Sequence, residues 1–204
     1  MKLTFKDREI QEKGEKAFRE GLEYLIEGDF TNSLKLFDEA LQKFKSASWP
    51  NVQSIARTMH HIGIVHKECS RLSDAIKIFE ESLSFQRKYA EPNYYRQANT
   101  LRSLGAAYEL CDKIDKALEC YEDSLEMQKK ITPLTFEAKY QNNSQVNKID
   151  PIMAFLLKAN TLYSIGSIYA KQNKFTLAIE SYNECLKVQR AFKLKPGYYF
   201  CLSY

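Results

Sequence analysis

"ANTLRSLGAAY" occupies Ala98–Tyr108, and "ANTLYSIGSIY" occupies Ala159–Tyr169. Ala, Asn-Thr-Leu, a branched aliphatic residue, Gly and Tyr keep their places in both, while the residues between them change size and charge. A pattern that fixes shape and lets charge vary is one of packing geometry. Aligning on its glycine, Gly105 and Gly166, brings out two further copies, at Gly63 ("MHHIGIVH") and Gly21 ("FREGLEYL"), with separations of 42, 42 and 61 residues. Twelve residues after each glycine stands a small side chain (Ser33, Ala75, Ala117, Ala178), and four later an aromatic one (Phe37, Phe79, Tyr121, Tyr182). Three beyond that comes a second small residue, Ala40, Ser82, Ser124 or Cys185, each followed by Leu. Three after each glycine sits Tyr24, His66, Tyr108 or Tyr169.

These intervals are helical. Residues three or four apart share a helix face, so each copy predicts two helices, each with one conserved stripe. The polar turns between them, "EGDFTN", "CSRLSD", "CDKIDK" and "QNKFTL", each carry one apolar residue: Phe30, Leu72, Ile114 or Phe175. A glycine inside a helix costs about 1 kcal/mol relative to alanine, so four recurrences imply close packing that offsets the loss. Small residues are expected where two helix axes approach, and aromatics in the gaps between hairpins.

The pattern W/L-x-x-L/I-G-x-x-Y followed by A-x-x-x-F/Y-x-x-A/S resembles the tetratricopeptide repeat over residues 14–192. The 42-residue spacing makes the chain similar to the longer-helix variety of kinesin light chain-type adaptors. The resemblance implies an all-α, right-handed superhelical solenoid of about four hairpins, whose first helices line a concave groove. The expected repeats are 14–47, 56–89, 98–131 and 159–192, in a single array over 1–204. An inserted polar loop is expected at 132–150, as a tolerated surface loop or as one that grips a partner. Asp150-Pro151 then reads as an N-cap with proline at the first helical position. Pro50, Pro92 and Pro133 fall at nearly one phase and mark helix ends. "KPGYYFCLSY" echoes "EPNYYRQANT" and predicts an incomplete helix at 196–204, leaving an uncapped apolar end.

Composition narrows the function classes. The net charge is +4, and 151–204 carries seven Lys/Arg against two acids, spread singly. No compact basic run interleaved with aromatics occurs, so nucleic acid is not an expected partner. No window reads as a membrane span; the most apolar stretch, 152–170, is broken by Lys158 and Asn160. "MKLTFKDREI" lacks the apolar core of a secretory signal. Five cysteines without a close pair argue against a disulfide framework, so a cytoplasmic location is expected.

No catalytic constellation is apparent, and the chain reads as non-enzymatic, with no cofactor. His66 fills the Tyr position of its repeat, and adjacent His60 and His61 point in different helical directions, a poor arrangement for a metal. Cys69 and Cys111 occupy equivalent positions and read as small hydrophobes. The resemblance places first-helix residues three before, one after and four after each glycine on the concave wall. Those selected as partner-binding are Phe18, Leu22, Leu25, His60, Ile64, Arg102, Tyr163 and Ser167, joined by Asn99 and Asn160 six before their glycines. The first hairpin is the most apolar, with Ile26 adding to it. The expected function is a scaffold or adaptor that holds a helix or peptide of another protein in this groove. The alternative is an architectural subunit of a large cytoskeletal or ciliary assembly, self-associating or docking through the uncapped C-terminal end.

Overall fold

The computed structural model describes residues 4–48, 50–89, 93–131 and 151–191. The expected loop at 132–150 and helix at 196–204 lie outside the described residues. Among the described residues eight helices run in chain order: α1 Phe5–Glu27, α2 Phe30–Ser46, α3 Val52–Glu68, α4 Leu72–Tyr89, α5 Tyr94–Leu110, α6 Ile114–Lys129, α7 Pro151–Lys171 and α8 Phe175–Ala191. They pair as four hairpins, and no strand occurs among the described residues. The all-α repeat architecture is therefore the one the spacing predicts. The chain divides into two compact units, the first built on α1–α4 and the second on α5–α8.

The recurring glycines do what their positions imply. A Cβ placed on Gly21 would stand 2.9 Å from the Phe37 ring, one on Gly105 2.8 Å from Tyr121, and one on Gly166 2.7 Å from Tyr182. At Gly63 the ring of Phe79 leaves even less room. In every hairpin the aromatic of the second helix thus packs against a glycine of its own first helix, within the hairpin and not only in the expected gap between hairpins. Hairpin one has a second seat that the alignment does not reveal, Gly14 against Phe44, where a Cβ would meet the ring at 2.8 Å.

The second small position closes the hairpin by a hydrogen bond. Ser82 Oγ donates to the Ala56 carbonyl at 3.2 Å, Ser124 Oγ to that of Ala98 at 2.8 Å, and Cys185 Sγ to that of Ala159 at 3.2 Å. The alanine opening each quoted stretch is where this contact lands, and Ala56 and Ala98 are fully buried. Two residues on, Thr58, Thr100 and Thr161 donate to carbonyls one turn back, which lets a hydroxyl sit in the core without an unmet donor.

All four hairpin turns share one geometry. Gly28 (φ 80°), Ser70 (57°), Asp112 (56°) and Asn173 (59°) are left-handed. The next N–H in each case reaches a carbonyl five residues back: Asp29 to Tyr24, Arg71 to His66, Lys113 to Tyr108 and Lys174 to Tyr169, at 2.8–2.9 Å. This is the Schellman closure, and the Tyr or His position supplies the accepting carbonyl each time. Phe30, Leu72, Ile114 and Phe175 then begin the second helices. An L-residue pays about 1–2 kcal/mol in the left-handed region, less for Asn and Asp. Ser70 has no such relief, so Ser70→Gly is expected to raise stability by about 0.5–1 kcal/mol. A urea midpoint unchanged or lowered by Ser70→Gly would contradict this turn geometry.

The core of the first unit is built from Phe18, Phe37, Ala40 and Phe44 of hairpin one together with Ile55, Met59, Ile62 and Val65 of α3. That of the second is formed by Leu101, Leu104, Ala107 and Tyr121 with Leu157, Ile165 and Ile168 of α7. α1 begins with a capping box: Thr4 Oγ1 accepts from the Asp7 N–H at 3.1 Å, while the Asp7 carboxylate accepts from the Thr4 hydroxyl at 2.6 Å. Asp7 also accepts from the Ser48 N–H at 2.9 Å, tying the end of hairpin one to its start. Asn51, directly after Pro50, caps α3 by accepting from the Ser54 N–H.

Candidate functional site

In the first unit the first-helix wall is built on α1 and α3. Phe18 lies 5.4 Å from Phe37, centroid to centroid, and meets the edge of His61 at 5.1 Å. The Arg57 guanidinium stands over the Phe18 ring at 4.0 Å, a cation–π geometry. A single nitrogen of the same guanidinium, Nη2, donates to both oxygens of Glu15 at 2.7 Å each, and Ser54 Oγ donates to Glu15 at 2.9 Å. His61 Nδ1 lies 2.9 Å from the Arg57 carbonyl, which can only accept, so that nitrogen carries the proton. His60 turns inward against Phe79, 5.6 Å between centroids.

In the second unit the corresponding wall, on α5 and α7, is polar. Tyr121, in the aromatic position of its repeat, donates its hydroxyl to Glu109 at 3.2 Å. Lys171 donates to the other Glu109 oxygen at 2.8 Å, linking α5 to α7. Burial pushes the Tyr121 phenol far above its ordinary range, and the Glu109 carboxylate beside it adds to the shift. Burial also pulls the Arg102 guanidinium below its usual range, with Tyr121 and Tyr95 as its electrostatic neighbours. Gln128 bridges α6 to α7, donating to Ser124 Oγ at 3.0 Å and Thr161 Oγ1 at 3.3 Å.

The ten expected wall residues fall into three groups. Phe18 and His60 are buried, at 2% and 4% exposure. Leu22, Leu25, Ile64, Asn99, Arg102, Asn160 and Ser167 are half-buried. Tyr163 is 60% exposed, its ring 5.6 Å from Tyr182. Ile26, at 86%, is the most exposed large aliphatic side chain of the first hairpin. Sequence reading missed the Glu15–Arg57 pair, although a signal existed. Glu15 and Arg57 stand six residues before Gly21 and Gly63, the same position that holds Asn99 and Asn160.

At another edge of the first unit, a recess of about 420 Å³ is lined by Phe30, Thr31, Leu34, Lys35, Asp38, Cys69 and Arg71. Burial raises the Asp38 carboxyl, with His66 acting against that, and burial followed by Arg71 lowers the His66 imidazole. Cys69 and Cys111 are half-buried free thiols. Among the described residues no group of three or more His, Cys, Asp or Glu is placed to hold a metal. No described helix is long and apolar enough to cross a membrane.

Two family models, each described as tetratricopeptide repeat, match residues 54–130 and 159–197. No curated protein matches the chain. Among solved structures, a Podosopora anserina protein with nearly identical TPR-like repeats, described as a kinesin light chain, superposes with TM-score 0.61 at 12% identity. It covers 89% of this chain and 76% of its own. MamA superposes with TM-score 0.57 at 14% identity, covering 88% of this chain and 80% of its own. BtubC (BKLC) from P. vanneervenii does so with TM-score 0.51 at 13% identity, covering 93% and 92%. At such identities the likeness is one of fold.

Proposed function

The chain belongs to the tetratricopeptide-repeat family, whose members are in general non-enzymatic scaffolds for protein interaction, and from that premise we propose that its first-helix walls bind a helix or peptide of a partner protein. The observation that carries this reading is the surface of the first unit beside the Arg57–Glu15 pair. Leu22 and Leu25 pack on the core that holds Phe18 and Phe37, with His61 against both rings, and Leu22, Leu25 and Ile64 all stay partly open to solvent. Such a shelf offers apolar area already held in shape, so a partner pays little ordering cost on docking. Arg57 at its rim, fixed by a bidentate carboxylate, adds orientation more than affinity.

In the second unit, Asn99, Arg102, Asn160, Tyr163 and Ser167 offer hydrogen bonds and one exposed aromatic ring, the side-chain types that anchor interfaces. A cytoplasmic setting belongs to the same proposal, to which an architectural role in a cytoskeletal or ciliary assembly is the alternative.

The test is affinity purification from native cells with mass spectrometry, followed by titration of the purified partner. Leu22→Asp and Ile64→Asp are expected to weaken binding at least about tenfold, with helical circular dichroism unchanged, because each puts a charge on the apolar shelf. Glu39→Lys, on the exposed side of α2, should bind like the parent. Equal affinity for all variants would refute the reading.

A further inference from the structure

The recess at the edge of the first unit joins an apolar floor to a charged rim. Phe30 and Leu34 of α2 and Cys69, directly after α3, form the floor. All three are half-buried and packed against the core, so their positions are already held. Lys35 and Asp38 of α2, and Arg71 from the turn before α4, stand around it with their side chains exposed.

The rim charges are unmatched. Among the described residues Lys35, Asp38 and Arg71 enter no ion pair and no side-chain hydrogen bond. Lys35 and Asp38 lie three apart on one helix face, a spacing at which Glu126 pairs with Lys129 and Glu184 with Lys187, yet they stay open side by side. Burial raises the Asp38 carboxyl, so that group gains from any cation brought to it. The nearby His66 does not supply one, because burial lowers its imidazole and leaves it neutral at neutral pH.

Two cations and one carboxylate around hydrocarbon define their complement: one ammonium and two carboxylates joined by methylenes. We propose that the recess binds an acidic amino acid or a γ-glutamyl peptide. The α-ammonium and α-carboxylate sit on Asp38 and Lys35, the remote carboxylate reaches Arg71, and the methylenes lie over Phe30, Leu34 and Cys69. Each polar end then makes a charge-assisted hydrogen bond. The volume of about 420 Å³ falls in the range of small-ligand sites. A segment of a partner protein would have to bring the same three charges on separate side chains, at a larger ordering cost. The recess shares none of its lining with Leu22, Leu25 or Ile64, so the site stands or falls separately from the partner-binding walls.

Alkylation of Cys69 by iodoacetamide in the purified chain 1–204, followed by peptide mass mapping, reads occupancy. L-Glutamate and S-methylglutathione serve as ligands, since neither carries a thiol that would consume the reagent. At about 10 mM at least one is expected to slow Cys69 alkylation about threefold or more, relative to sodium chloride of equal ionic strength. Slowing by glutamate assigns a free acidic amino acid, and slowing by S-methylglutathione alone assigns a γ-glutamyl peptide. Asp38→Asn and Arg71→Gln should each abolish the difference between rates with and without ligand, with helical circular dichroism unchanged. Leu22→Asp should keep that difference while weakening partner binding. No slowing by either ligand would overturn the proposal, as would slowing that survives both rim substitutions. Equal slowing by succinate, which has two carboxylates and no ammonium, would refute the role given to Asp38. Slowing that grows with protein concentration alone would assign the recess to a second copy and overturn the proposal as well.

Discussion

Replacing Phe79 by alanine is expected to cost about 3–5 kcal/mol, the largest loss for any single truncation in the second hairpin. The ring is fully buried, lies against the backbone of α3 at Gly63, and touches the His60 imidazole. Removing it leaves a hole between two helices whose approach is already set by their backbones, so the walls cannot close in to recover the lost contacts. The urea midpoint should fall with an unchanged slope. A companion substitution makes the result specific to the seat. Alone, Gly63→Ala drives a methyl into the ring and should destabilise the hairpin, despite a propensity gain of about 1 kcal/mol. In the Phe79→Ala background the same methyl enters vacated space and should recover part of the loss. Additive effects of the two changes would mean that glycine and ring do not meet as described.

Phe18→Asp is expected to cost about 4 kcal/mol or more and to melt the first hairpin, whereas Leu22→Asp should cost about 1 kcal/mol or less. The two residues lie four apart on α1 and share a phase, yet their surroundings differ. Phe18 fills a space bounded by Phe37, His61 and the Arg57 guanidinium. A carboxylate there would lose its water, and Arg57 is already committed to Glu15 on both of its oxygens. Leu22 packs on the same core but keeps part of its surface in solvent, so an aspartate can turn outward. Thermal melts followed by circular dichroism separate the two. A parent-like melt for Phe18→Asp would place that ring on the open wall with Leu22. The contrast also explains why Leu22 and Ile64, rather than Phe18, are the positions with which to probe partner binding.

The chain's letters alone determined the number and phase of the hairpins. Gly21, Gly63, Gly105 and Gly166, with their aromatics sixteen residues on, state a close contact, because a ring can come this near to a helix backbone only where a Cβ is missing. The alanines of the two quoted stretches belong to the same local code, since a hydroxyl or thiol 26 residues later must reach their carbonyls.

Tertiary structure decided what phase cannot. Phase names the side of a helix, while exposure depends on how near the next helix comes. Phe18 and His60, on the wall by phase, are closed over by neighbouring side chains, while Tyr163 at the same position of a later copy stays open. The Glu15–Arg57 pair was equally hidden, because a repeat position that holds Glu, Arg, Asn and Asn has no common residue type. Its meaning appears only when two helices 42 residues apart in sequence stand side by side. Ser70, Asp112 and Asn173 carry no glycine to announce their left-handed turns, which Schellman closure imposes on whatever residue stands there. Local periodicity is written in the chain because each residue sees its own helix; burial and pairing are not, because they depend on atoms the chain brings together only on folding.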